Sequence, residues 1–212
     1  MKNIYVISGL GADESVFYKI NFGNNNVTHI NWLTPYKNES ISDNALRLSK
    51  KITTEKPILI GLSFGGMVAA EIAKHIAVEK IILISSVKTR AEIPWLYKAV
   101  GKINAHKLIP AYFLQSANIF TNWAFSVRSK EDKKMLHTMM RKMDLVFLKW
   151  AIDKIANWQN ETIHPNTTHI HGTADRILWY RNIKNAIAIK AGPHLMVMTK
   201  AEEVNDLLKS LI

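Results

Sequence analysis

Five residues in the first third of the chain, 61–65, match the motif that surrounds a nucleophilic serine. Gly61, Ser63 and Gly65 form a Gly-x-Ser-x-Gly motif between a predicted strand and a predicted helix. In such a motif the serine occupies a sharp turn that exposes its Oγ, and larger side chains at the glycine positions would collide with the backbone. The start of the following helix also stabilises negative charge on a nearby oxygen. The motif therefore predicts that Ser63 attacks a carbonyl carbon.

Glycine-rich turns between strand and helix also bind phosphate, so two nucleotide-binding hypotheses compete with this one. A P-loop needs Gly-Lys-Ser/Thr at its end, and no such triplet follows Gly65. Gly9 and Gly11 begin a dinucleotide-binding pattern, but Glu14 stands where its third glycine belongs and no acidic residue ends the second strand at 31–33. A glycine turn that merely packs closely is the structural alternative.

A serine hydroxyl is a weak nucleophile at neutral pH and needs a base that is itself oriented by a carboxylate. Histidines in segments predicted as strand, helix or cap are expected to be ordinary surface or core residues: His29, His75, His106 and His137. His169 and His171 share one face of a predicted strand and, with His194, form a candidate metal site that no further ligand completes. We expect His171 instead to order the loop around Asp175.

The elements that position these residues alternate in the first half of the chain. Short β-branched runs separated by amphipathic stretches are typical of a parallel sheet flanked by helices, and continuous apolar runs indicate strands covered on both faces. Strands are predicted at Ile4–Ser8, Val27–Ile30, Ile58–Leu62, Lys80–Ile84, Thr168–His171 and Ala186–Ile189. Helices are predicted at Ser42–Lys51, Gly65–His75 and Glu202–Leu211, with Ser42 as the N-cap of the first.

Residues 88–160 interrupt this alternation and form a predicted helical cap. The segment shows no strand pattern and holds many of the aromatic residues, so we expect helices over the C-terminal edge of the sheet. It carries thirteen Lys or Arg against five Asp or Glu, which is +8 of the formal net charge of +11. We expect one domain, 1–212, that includes this cap, because a chain of 212 residues forms a single core in most proteins.

The order of these features resembles the α/β-hydrolase family over nearly the whole chain. That family places a serine, an acid and a histidine in this order along the chain. The segment Thr168–Asp175 resembles the family's strand that ends in His-Gly-x-x-Asp, which implies Asp175 as the acid. Ala191–His194 resembles the loop that carries the family's histidine, which implies His194 as the base. The resemblance thus implies Ser63, Asp175 and His194 as the catalytic residues.

The same resemblance extends to the loop after the first strand. Ser8–Gly11 resembles the family's His-Gly-x-Gly segment, with Ser8 in place of the usual histidine, and this implies the backbone amides of Leu10 and Phe64 as oxyanion donors. The family has two strands before the first one found here. We therefore expect a three-layer α/β-hydrolase fold with a mostly parallel sheet of about six strands, a helical cap after the fourth strand, and neither a metal nor an organic cofactor.

The implied activity is hydrolysis of small-molecule carboxylic esters through an acyl-enzyme on Ser63. The basic cap favours a narrower alternative, a thioesterase or methyl-ester esterase acting on acyl groups linked to coenzyme A or to an acidic acyl-carrier protein. A non-catalytic small-molecule receptor on the same fold is the alternative from another class. Basic charge without a recognised module does not predict nucleic-acid binding.

Hydropathy and cysteine usage bear on the location of the protein. No apolar run reaches the ~18–20 residues that span a bilayer, so no membrane span is expected. The chain contains no cysteine, which excludes disulfides and thiolate metal sites and fits a cytoplasmic location.

Overall fold

The computed structural model describes residues 1–108 and 119–212 of the chain. Within these ranges, six strands form one sheet in the order β2-β1-β3-β4-β5-β6, and each neighbouring pair is parallel. The strands are β1 (Asn3–Ile7), β2 (Asn26–His29), β3 (Ile58–Leu62), β4 (Lys80–Ile84), β5 (Thr167–Gly172) and β6 (Ile187–Ile189). The predicted mostly parallel sheet of about six strands is confirmed, and every strand end lies within one residue of the predicted one.

Helices cover both faces of the sheet. Successive residues of a strand point to opposite faces, so each strand packs against helices on both sides. In β1, Ile4 and Val6 join one core cluster with α8 (Ala201–Leu211), whereas Tyr5 and Ile7 join another with α1 (Ile41–Ser49) and α2 (Phe64–Ile72). All five residues of β3 are buried. The strand that precedes Ser63 is therefore fixed from both sides.

Further helices lie in the described parts of the segment between β4 and β5. They are α3 (Trp95–Lys102), α4 (Ile119–Ala124), α5 (Lys130–Lys142) and α6 (Leu145–Asn157), and α7 (Met196–Thr199) follows β6. Residues 109–118 of the predicted cap lie outside the described residues. Within the described ranges, every helix is too short or too polar to span a bilayer.

The predicted N-cap of α1 was wrong. Ser40 has the extended backbone of a cap and its Oγ accepts a hydrogen bond from the Asp43 amide at 3.0 Å. Ser42 lies inside the first turn, where its Oγ contacts Nε2 of His75 at 3.0 Å. The helix therefore begins one residue earlier than predicted.

Candidate active site

Ser63 lies on a tight turn between β3 and α2. Its backbone has φ 51° and ψ −120°, a conformation that residues other than glycine rarely adopt. A Cβ at Gly61 would lie 2.4 Å from Cα of Gly66, and a Cβ at Gly65 would lie 2.3 Å from the carbonyl oxygen of Ile7. Packing against the neighbouring backbone therefore requires both glycines of the motif.

The adjacent strand β4 stabilises the strained backbone of Ser63. The Ser63 amide donates to the carbonyl oxygen of Ile84 at 2.9 Å, and the Ser86 hydroxyl donates to the carbonyl oxygen of Ser63 at 2.6 Å. Sequence reasoning missed Ser86, whose only signal is its position just after the strand that neighbours β3. Together these contacts hold the Ser63 side chain at the C-terminal edge of the sheet.

The structure brings Ser63, His194 and Asp175 into one line of hydrogen bonds. Nε2 of His194 lies 2.8 Å from Oγ of Ser63, and Nδ1 of His194 lies 2.7 Å from Oδ2 of Asp175. These residues come from separate loops that follow β3, β5 and β6. His194 is 2% exposed and the side chain of Asp175 is fully buried, so water does not compete for the contact between them.

Asp175 is held as a carboxylate by the groups around it. Burial raises its pKa, but the charge interaction and hydrogen bond with His194, together with His171 and the Leu178 amide, bring the net pKa below the usual value. Its Oδ1 accepts hydrogen bonds from the amides of Ile177 and Leu178, both at 2.8 Å. Oδ2 is left to accept a hydrogen from Nδ1 of His194, which directs the lone pair of Nε2 toward Ser63.

The loop after β1 packs against Ser63. A Cβ at Gly9 would lie 3.4 Å from Cβ of Ser63, and the Ser8 hydroxyl closes the loop by donating to the carbonyl oxygen of Ala12 at 2.5 Å. Leu10 and Phe64 line a cavity beside Ser63. In the part of the chain that the structure describes, neither of their amides donates a hydrogen bond to another residue.

Comparisons with known proteins support the architecture. No family model matches the sequence, and no curated protein is similar enough in sequence to be matched to it. A solved hydrolase from Oleispira antarctica superposes with a TM-score of 0.71 at 14% identity, over 99% of this chain and 90% of that one. An α/β hydrolase fold protein from Burkholderia ambifaria gives 0.66 at 13% identity, over 98% and 89%. The chain has the α/β-hydrolase fold. An esterase from Exiguobacterium antarcticum is also similar, with a TM-score of 0.69 at 14% identity over 99% and 91%.

In this α/β-hydrolase fold, a mostly apolar cavity of about 250 Å³ lies beside Ser63. Residues of α3, α5 and α6 contribute to its wall, and the sheet and its loops close the other side. Its lining includes methionine, leucine and aromatic side chains: Met67, Tyr97, Phe125, Leu136, Met139 and Met140. A lining of this kind is suited to an apolar group next to the serine hydroxyl.

The candidate metal site of His169, His171 and His194 does not assemble in this fold. Nδ1 of His171 lies 3.1 Å from Nε2 of His169, while Nε2 of His171 lies 2.8 Å from the carbonyl oxygen of Leu178. His194 faces Ser63 and Asp175 instead. Among the described residues, no group of three or more His, Cys, Asp or Glu is arranged to hold a metal ion.

Proposed function

We propose that the protein is a serine hydrolase that cleaves carboxylic esters through an acyl-enzyme on Ser63. The observation that carries this proposal is the line of hydrogen bonds from Asp175 through His194 to Ser63, at 2.7 and 2.8 Å. A hydroxyl, an imidazole and a buried carboxylate in this arrangement activate the serine oxygen for attack on a carbonyl.

The reaction proceeds in two steps. Oγ of Ser63 attacks the ester carbonyl while Nε2 of His194 takes the hydroxyl proton, and the amides of Leu10 and Phe64 stabilise the oxyanion. His194 then gives this proton to the departing alkoxide, which leaves an acyl group on Ser63. In the second step His194 takes a proton from water, the hydroxide attacks the acyl carbon, and the carboxylic acid leaves as Ser63 regains its proton.

The size of the apolar cavity supports a substrate with a small or medium acyl group. Its volume of about 250 Å³ is below the ~300–1,000 Å³ typical of sites for drug-sized ligands. Tyr97, Phe125 and Met140 of the segment between β4 and β5 line it. We therefore propose that residues 88–160 act as a cap that belongs to the same domain and selects the acyl chain.

A second candidate substrate is an acyl group on coenzyme A or on an acidic carrier protein. A second cavity, of about 570 Å³, lies beside the loops that carry Asp175 and His194. One acid, Asp132, lines this cavity together with four cations: Lys19, Arg128, Arg176 and Lys200. Phosphate groups or carrier carboxylates would be attracted to this surface. An Arg128→Glu change should then lower kcat/KM for acyl-coenzyme A but not for a neutral nitrophenyl ester, and Lys209→Glu in α8 is the matched control.

Turnover of nitrophenyl esters tests the proposed hydrolase. Ser63→Ala should lower kcat by at least about 10³-fold without unfolding the protein, because the attacking oxygen is removed. Ser210→Ala, at an exposed position of α8, is the matched control and should keep full activity. Binding of esters without turnover by the wild-type protein would favour a receptor, and full activity of Ser63→Ala would refute the mechanism.

A further inference from the structure

A row of buried polar side chains continues from Asp175 away from the cavity. It consists of Asp175, His171, His169, Lys88 and Glu92, and we call it the buried polar row. Each member is at most 6% exposed. Charged and polar groups this deeply buried are costly unless they are hydrogen-bonded. The mechanism proposed above uses only the first of them, so the other four need an explanation.

Lys88 gives the row a direction. As an ammonium ion paired with Glu92, its Nζ has three hydrogens to donate and no lone pair to accept. Three acceptors surround it within the described residues: Oε1 of Glu92 at 3.0 Å, Nδ1 of His169 at 3.2 Å and the carbonyl oxygen of Lys184. Each hydrogen thus has one acceptor. Nδ1 of His169 must therefore be unprotonated.

The state of His169 then determines that of His171. A neutral His169 without a hydrogen on Nδ1 carries it on Nε2, which donates to Nδ1 of His171 at 3.1 Å. His171 in turn carries its hydrogen on Nε2, which donates to the carbonyl oxygen of Leu178 at 2.8 Å. The same Nε2 lies 3.4 Å from Oδ2 of Asp175. A hydrogen therefore faces both the carboxylate and its loop.

We propose that Lys88, His169 and His171 are positioning residues for Asp175, because the ammonium of Lys88 fixes both histidines as neutral tautomers with the hydrogen on Nε2. With the opposite tautomer, a lone pair of His171 would face the carbonyl oxygen of Leu178 and the carboxylate of Asp175. That repulsion would displace the loop whose amides hold Asp175, and with it the orientation of His194. The role in catalysis rests on the proposed function, whereas the tautomers follow from the geometry alone.

The surrounding groups favour neutral histidines. Burial lowers the pKa of both. In His169 the neighbouring His171 and the charge of Lys88 lower the pKa further, while a hydrogen bond with the Ser86 backbone acts in the opposite direction. Asp175 and Glu92 act in the opposite direction on His171. The ring of Tyr180 also packs near His171, with centroids 6.3 Å apart.

Ring-nitrogen NMR of the wild-type protein tests the tautomers directly and needs no substrate. In ¹⁵N-histidine protein with assigned resonances, we expect His169 and His171 to carry the hydrogen on Nε2 and to stay in this form between about pH 6 and 9. A hydrogen on Nδ1 of either residue would overturn the proposal. The spectrum reports the tautomers whether or not the protein turns over an ester. A failure of the proposed hydrolase function would appear in the turnover assay instead.

Lys88→Met tests the consequence for the reaction. It keeps an unbranched side chain as far as Cε but removes the amino group that donates. We expect kcat to fall roughly 10-fold with KM unchanged, by analogy with the partners of metal-ligating histidines, whose loss costs about 10–100-fold. His169 should then show both tautomers and a raised pKa. Lys102→Met, at an exposed position of α3, is the matched control. A folded Lys88→Met protein with wild-type kcat and unchanged tautomers would overturn the proposal, and if it does not fold, the wild-type spectrum decides.

Discussion

Asp175→Asn replaces one carboxylate oxygen by an amide nitrogen, and the structure determines which one. Oδ1 accepts two backbone hydrogens, from Ile177 and Leu178, at 2.8 Å each. An NH₂ group cannot accept them, so the amide oxygen of asparagine must take this place. The NH₂ group then occupies the position of Oδ2, 2.7 Å from Nδ1 of His194.

Two donors would then face each other, and His194 must change its tautomer. With a lone pair on Nδ1, its hydrogen moves to Nε2, which lies 2.8 Å from Oγ of Ser63. A base that already carries a hydrogen at this position cannot accept the serine proton. The equivalent exchange in the serine-protease template lowers kcat by about 10⁴-fold, which corresponds to about 5.4 kcal/mol of transition-state stabilisation.

Steady-state hydrolysis of a nitrophenyl ester measures this effect, with thermal unfolding as the check on folding. We expect kcat for Asp175→Asn to fall by about 10³–10⁴-fold with little change in KM. Asp153→Asn is the matched control, because Asp153 also pairs with a histidine, His106, at 2.9 Å, but lies outside the site. A folded Asp175→Asn protein that keeps more than about a tenth of wild-type kcat would refute the tautomer argument.

Three further predictions concern packing, specificity and pH. Gly65→Ala should lower the free energy of unfolding in urea by ~1–3 kcal/mol, because its Cβ would lie 2.3 Å from two backbone oxygens. Met140→Ala should enlarge the cavity and raise kcat/KM for longer acyl esters relative to acetate esters. Burial lowers the pKa of His169 and His171, so the unfolded chain takes up protons below about pH 6.5 while the folded protein does not. Stability should therefore fall from about pH 6.5 downward, by up to about 1.4 kcal/mol per pH unit for each histidine.

Each of these predictions has an outcome that contradicts it. Wild-type stability of Gly65→Ala would show that the backbone moves aside without strain. Met135→Ala is the control for Met140→Ala, since Met135 lies on the same helix but is not among the described residues that line the cavity. An equal shift of chain-length preference in both variants would contradict the role of the cavity. Urea titrations between pH 7 and 5.5 that give one constant free energy would contradict the account of the two histidines.

Local signals were sufficient to predict the strands of the parallel sheet and the turn at Ser63. The apolar run of β3, the glycines on either side of Ser63 and the start of α2 follow one another in sequence, so their structure depends on near neighbours. The roles of Asp175 and His194 came from a resemblance in chain order and stay predictions, although the structure brings both side chains to Ser63. The N-cap was misplaced because Ser40 and Ser42 both lie near the start of α1, and only the backbone conformation distinguishes the cap from the first turn.

Contacts between residues far apart in the chain could not be predicted from local patterns. Lys88 and His169 are 81 positions apart and meet only because β4 and β5 are neighbours in the sheet. The sequence showed that His169 and His171 share a face, but not that a buried cation would pair with them. Likewise, the support that Ser86 gives to Ser63 depends on the register of β3 against β4.

Covalent labelling tests the central claim, that Ser63 is an activated nucleophile, most directly. The folded protein would be treated with a fluorophosphonate probe, digested, and the adduct located by mass spectrometry. We expect a single labelled peptide with the adduct on Ser63, no label on folded Ser63→Ala, and much slower labelling of Asp175→Asn. Folded wild-type protein that stays unlabelled, or that carries the adduct on another serine, would contradict the account.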